Sequence, residues 1–244
     1  MNKWIFFGLV LGCLILPGAA SAQSVNFPTG NCAWTVKMTP FTASDEGGAT
    51  ATPAPPAIKA LAKAATVEVT QVDNLKRIRI TWTDGKTSEE WTVPKMPVVF
   101  KEDPRNGNVF PVQASTMEMQ YERSTMRYDV SAFSWLNAQT LKEQAPITYQ
   151  GKSCFHYFVA GVSKAPTAKD FAPGGIGYNA TVNTPTMEAW IEAKTLLPIA
   201  LHEGPSLYTF TFPPTPPTDP LVLPAKFKKE VDYYKMVMGY PATP

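Results

Sequence analysis

The sequence predicts a mainly β protein of α+β type: a curved antiparallel sheet or unclosed β-barrel, with a C-terminal helix packed on its concave side. Three observations carry this. Apolar and polar residues alternate in several runs, most clearly Ile78, Ile80 and Trp82 against Arg77, Arg79 and Thr81, the period of a half-buried strand. The 24 prolines and 15 glycines of the 244-residue chain suit strands joined by stiff loops and oppose a mostly helical fold. Near the C-terminus the period changes. Phe227, Val231, Tyr234 and Met238 recur at helical spacing, which makes one apolar helix face.

The chain opens MNKWIFFGLVLGCLILPGAASAQS. Lys3 supplies a positive start, Trp4–Leu16 an apolar run, and Ala20-Ser21-Ala22 small residues before a cut. This reads as a secretory signal peptide over residues 1–22, removed before Gln23. A transmembrane anchor is the competing reading, but the run of about 13 residues falls short of the ~20 a spanning helix needs. Val10-Leu11-Gly12-Cys13 loosely matches a lipoprotein processing site, although a cut there would divide the apolar run. Residues 23–244 then form a single β-rich domain, periplasmic or secreted. Some 220 residues are ample for a sizeable core.

Two cysteines remain after the signal, Cys32 and Cys154. In an oxidising compartment they are candidates for one disulfide; two buried free thiols are the alternative. The 22 basic and 20 acidic residues are dispersed, so no basic stripe marks a nucleic-acid footprint.

The elements follow in order. Cys32–Met38 alternates as a strand. Residues 44–56 (SDEGGATATPAPP) make a low-complexity, flexible loop. Ala57–Ala65 (AIKALAKAA) collects helix formers behind Pro56 and predicts a short helix. Thr66–Val93 holds the strongest β signal. Asp84-Gly85 between its runs predicts a two-residue hairpin turn, which sets Ile78 opposite Trp91. Prolines 94, 97, 104 and 111 confine the next strands to short or edge positions. Met117, Met119 and Tyr121 alternate as a further strand. Residues 130–144 suggest a helical turn or partial helix. Ile147–Val159 reads as a hairpin with Gln150-Gly151 at its tip, and residues 166–183 as a loop.

A three-strand meander follows. Met187, Ala189 and Ile191 face one side of the first strand, and Glu188, Trp190 and Glu192 the other. The chain turns at Ala193-Lys194-Thr195 and returns through Leu196–Leu201, where Pro198 implies an edge or a bulge. Tyr208, Phe210 and Phe212 line one face of the third strand. Pro213-Pro214-Thr215-Pro216-Pro217 is an extended connector. Pro224 and Gly239 then bracket the final helix.

The stretch Ala189-Trp190-Ile191-Glu192-Ala193-Lys194-Thr195-Leu196-Leu197-Pro198 resembles the W-[IV]-D-x-x-T-x-L-P hairpin of periplasmic outer-membrane lipoprotein carriers (the LolA-like fold). The match covers about a tenth of the chain. Glu192 stands where Asp is usual, and a strand rather than a helix comes first. The resemblance implies an unclosed barrel plugged by helices, whose cavity holds lipoprotein acyl chains. GNCAWTV and ITYQGKSCFHYFV are also similar to segments of uncharacterised secreted bacterial proteins with a like cysteine pair, a likeness that brings no activity.

The residues point away from catalysis. His156 and His202 are the only histidines, against the three or four ligands a zinc site requires. No Gly-x-Ser-x-Gly elbow is present. Gly174-Gly175-Ile176-Gly177 lacks the Lys-Ser/Thr of a phosphate loop. Asn179-Ala180-Thr181 matches a glycosylation sequon. No catalytic residue, metal ligand or cofactor is therefore assigned. The expectation is a non-enzymatic protein that binds an acyl chain or other hydrophobic ligand between the sheet and the C-terminal helix, at Tyr208, Phe210, Phe227, Val231 and Tyr234. The alternative is a structural or protein-interaction module whose aromatics simply fill a core. Ligand identity, protein partner and oligomeric state lie beyond the sequence.

Overall fold

A computed structural model describes residues 25–41, 63–113, 127–138, 146–163 and 183–240. The first half of the main sheet holds β1 (Cys32–Pro40), β2 (Ala64–Val72), β3 (Leu75–Trp82), β4 (Thr87–Thr92), β5 (Val98–Glu102) and β6 (Val109–Gln113). The second half adds β7 (Ile147–Tyr149), β8 (Lys152–Val159), β11 (Met187–Glu192), β12 (Pro198–Glu203) and β13 (Ser206–Thr211), while β9 (Val162–Ser163) and β10 (Asn183–Thr184) pair separately. The order across the 11-stranded sheet is β6-β5-β4-β3-β2-β1-β13-β12-β11-β8-β7. Every pairing is antiparallel. Among the described residues β6 and β7 end the sheet without pairing to each other, so the described sheet is unclosed. A mainly β, unclosed antiparallel sheet with one C-terminal helix is the architecture that alternation and the late change of period predict.

Successive strand side chains point to opposite faces, and this sheet buries both. One face carries the main core, with Trp34, Val36, Val67, Ile80, Leu201 and Phe210 drawn from five strands. It is covered by Tyr128, Ala132, Phe133 and Leu136, from a 3₁₀ turn (Val130–Phe133) and a one-turn helix (Trp135–Ala138) with their flanking residue. Asp129 caps that turn by accepting from the Ser131 N–H at 3.0 Å. The opposite face carries two smaller clusters. Trp91, Val98 and Phe100 meet Phe227 and Val231 at one end. Cys154, Trp190, Ile199 and Ala200 gather at the other. Between them this face is polar, with Thr35, Lys37, Glu68 and Arg79 outside the core.

Turn chemistry sets the registers. Gln150 and Gly151, at φ 49° and 76°, make the two-residue turn joining β7 to β8, with Tyr149 opposite Lys152, as the sequence predicts. Pro198 sits at a bulge, where Trp190 pairs Ala200 but Ile191 pairs Pro198. The Asp84-Gly85 turn is a correction. Gly85 donates to the Trp82 carbonyl and Trp82 to the Lys86 carbonyl, both at 2.9 Å, and Gly85 has φ 81°. This is a three-residue loop closing in a glycine bulge. Ile78 therefore lies opposite Glu90, and Trp91 opposite Arg77. A slip of one residue moves a strand's side chains to the other face, so Ile78 joins the main core and Trp91 the far cluster.

Other expectations also change. Ala64 and Ala65 belong to β2, so the helix expected over 57–65 gives way to strand at its end, because pairing to β3 overrides the local propensity of alanine. Residues 57–62, the 44–56 loop, the strand expected at 117–121, most of the 166–183 loop and the signal segment lie outside the described residues. The Cys32–Cys154 disulfide is absent: both cysteines are free and buried. Three strands stand between β1 and β8, about 19 Å along the sheet at about 4.8 Å per step. The two residues also enter clusters on opposite faces. A disulfide needs Cα atoms about 4.4–6.8 Å apart with converging side chains.

Candidate ligand groove beside the C-terminal helix

The C-terminal helix (Ala225–Met238) starts behind Pro224, which needs no N–H there. It ends at Gly239, whose φ of 71° forms the left-handed stop. Phe227 and Val231 are its buried residues. The Phe227 ring lies 6.0 Å from Trp91, and Tyr234 meets Phe100 edge-on at 5.9 Å. Phe227 is 0% exposed, and burial of such a side chain contributes about 1.5–3 kcal/mol. An ion pair between Lys226 and Glu102 on β5 fixes the first turn.

The helix covers only part of its sheet face. Beside it runs an open groove of about 1070 Å³, with Leu75 and Val93 as floor, Leu221 and Leu223 along one wall, and Val231 and Met236 along the other. That volume stands at the top of the range of about 300–1,000 Å³ usual for ligand pockets. Lys228, Asp232, Lys235 and Tyr240 form the rim. Lys228 pairs with Asp232 along the helix. Near the mouth Val222 is 81% exposed and Met236 71%, so apolar surface continues from the groove onto the outside.

The five residues expected to share one ligand site do not meet. Phe227, Val231 and Tyr234 lie together against Trp91 and Phe100. Tyr208 and Phe210 pair with Met38 and Val36 of β1 and belong to the main core on the other face. The helix was expected over that aromatic strand, but it packs on β5 and β6 instead. Its apolar stripe specifies burial without specifying which face buries it.

Around Tyr208 the main core is closely filled. The void bordered by Val36, Met38, Val67, Arg127, Tyr128 and Tyr208 measures about 10 Å³, room for roughly one water. The Arg127 guanidinium makes a two-pronged contact with Glu203, Nε to Oε2 and Nη2 to Oε1, both at 2.5 Å. Its pKa rises chiefly through that bond. Burial, then the nearby Glu203 charge, pushes the Tyr208 phenol up. A second cleft of about 460 Å³, near Gln150, Ile199, Phe212 and Pro213, is crossed by the Lys152–Glu192 ion pair at 3.1 Å.

Sequence reasoning also left the histidines apart. The fold brings His156 of β8 and His202 of β12 to the same carboxylate, Glu188 of β11, at 3.1 and 3.2 Å. Glu188 faces His202 directly in the ladder, a pairing set by the bulge at Trp190/Ile191. Its pKa is lowered, first by the hydrogen bond from His156 and also by that from His202, against burial. Among the described residues no cluster of three His, Cys, Asp or Glu side chains is placed to hold a metal ion.

No family model matches the chain, and no curated protein matches it. Among solved structures it is similar to the lipoprotein LppX of Mycobacterium tuberculosis, at 12% identity and TM-score 0.36 over 75% of this chain and 84% of that one. It is also similar to LprF of Mycobacterium bovis, at 11% identity and TM-score 0.34 over 80% and 90%.

Proposed function

We propose that the protein is an exported, non-enzymatic binder of a hydrophobic ligand, an acyl chain or lipid, seated in the groove between the C-terminal helix, the 221–223 segment, the start of β3 and the Val93-Pro94 turn that follows β4. The observation that carries this is the groove itself. An open trough of this size lined by Leu75, Val93, Leu221, Leu223, Val231 and Met236 leaves apolar surface in water, and a ligand that covers it gains about 25 cal/mol per Å². Export rests on the signal-like residues 1–22. Among the described residues no helix is long and apolar enough to cross a membrane.

Native mass spectrometry of protein recovered from the exported fraction, followed by solvent extraction, tests this reading. Bound mass that extracts as lipid supports it, with the mature chain starting at Gln23. A bare chain that also fails to take up added fatty acid or phospholipid overturns it. The alternative reading, an interaction module with a filled core, draws its support from the close packing around Tyr208 and Phe210 and would be favoured by that second outcome.

A further inference from the structure

We propose that His202, Glu188 and His156 form a proton-dependent latch: one proton held between His202 Nδ1 and Glu188 fastens β8, β11, β12 and Phe41 together, and its release to solvent loosens them. The inference stands apart from the ligand groove and rests on hydrogen-bond accounting. His202 Nε2 lies 2.6 Å from the carbonyl oxygen of Gly204. A carbonyl only accepts, so Nε2 carries a hydrogen. The other ring nitrogen, Nδ1, lies 3.2 Å from Glu188 Oε1. A neutral ring with its hydrogen on Nε2 would turn a bare lone pair toward the carboxylate. The contact therefore holds one further proton.

The surroundings define its charge balance. Glu188 Oε2 accepts from His156 Nε2 at 3.1 Å, so its second oxygen is engaged. Leu207, opposite His202 on β13, brings no charge. Glu203, next in β12, is held by Arg127, and Lys152 is held by Glu192 further along. With the proton, Glu188 and His202 balance; without it, the Glu188 carboxylate keeps the hydrogen bond from His156 and loses the one from His202.

Phe41 gives the latch something to hold. Its ring stacks on His202 with centroids 3.6 Å apart and planes at 25°, and its N–H donates to the Pro205 carbonyl at 2.9 Å. An aromatic face favours a cationic ring over a neutral one. On the opposite flank His156 stacks on Trp190 at 5.1 Å, and Trp190 on Tyr149 at 4.6 Å. Glu188 thus joins two ring stacks, Tyr149–Trp190–His156 and His202–Phe41.

Histidine-selective NMR of the full mature chain, titrated from about pH 5 to about pH 9 across the ordinary histidine range, tests the proposal. In the latched form both His202 nitrogens are protonated and the Phe41 and His202 rings show a mutual NOE. As Nδ1 loses its proton, that NOE and the ring-current shift of Phe41 should fall away together. In Glu188→Gln the Phe41 signals should cease to follow the His202 titration. Two results would overturn the latch: Nδ1 found bare at every pH with Phe41 still stacked, or a His202 titration that leaves Phe41 unmoved in the unaltered protein. The second needs no variant, so a poorly folding Glu188→Gln would not protect the idea.

Discussion

Ile78 and Trp91 point to opposite faces of the sheet, because the three-residue loop at Thr83–Gly85 sets Ile78 against Glu90 and Trp91 against Arg77. That offset turns Trp91 toward Phe227. It gives the C-terminal helix its docking surface and leaves the groove beside it.

The two halves of the expected site should respond differently to mutation. Phe210→Ala, in the main core, should lower stability by about 3–5 kcal/mol and leave lipid uptake intact while the protein is folded. Urea unfolding combined with a fluorescent fatty-acid titration measures both quantities. Loss of uptake in folded Phe210→Ala would place the ligand on the wrong face for this account.

Groove-wall changes should do the reverse. Val222→Asp and Met236→Asp alter groove-lining side chains that are 81% and 71% exposed, so melting temperature should stay nearly constant. Probe affinity should fall about tenfold or more, which corresponds to about 1.4 kcal/mol. Competition titration reads the change directly.

The cysteines should behave as buried thiols. Burial raises the pKa of both, which suppresses the reactive thiolate. Alkylation should be slow in the native protein and should reach both residues after unfolding without reductant. A native mass two hydrogens lighter would show a bridge that the positions of β1 and β8 forbid.

Glu188 should make stability depend on acid. Its folded-state pKa is depressed, so the unfolded chain takes up the proton first as pH falls. The stabilisation is therefore present above its unfolded value, about 4.3, and is lost as pH drops through the lower folded value. The stability difference between the unaltered protein and Glu188→Gln should shrink over that interval. Denaturant melts from about pH 6 downward follow it.

Much of the sheet was legible because its signals are local. Alternation marked β3, β11 and β13, Gln150-Gly151 fixed one turn, Pro198 marked an edge or a bulge and proves to be a bulge, and Pro224 and Gly239 bounded the helix. What failed depended on longer range or on one residue of register. Asp-Gly serves both two- and three-residue loops, and the choice decides which face Trp91 occupies. Ala64 became strand through its partner Trp82 on β3, with Ala65 in the bulge beside it. The helix stripe carried no address, so Phe227 and Phe210 were joined across a sheet that separates them. The meeting of His156, Glu188 and His202 required the order β8-β11-β12, which no single segment encodes.

The most direct test of the groove is photo-crosslinking with a diazirine-bearing fatty acid, followed by peptide mapping. The account predicts adducts on residues 221–240 and on the peptides containing Leu75 and Val93, abolished by excess unlabelled fatty acid. Saturable labelling confined to the peptides containing Tyr208 and Phe210, or no saturable labelling at all, would contradict it.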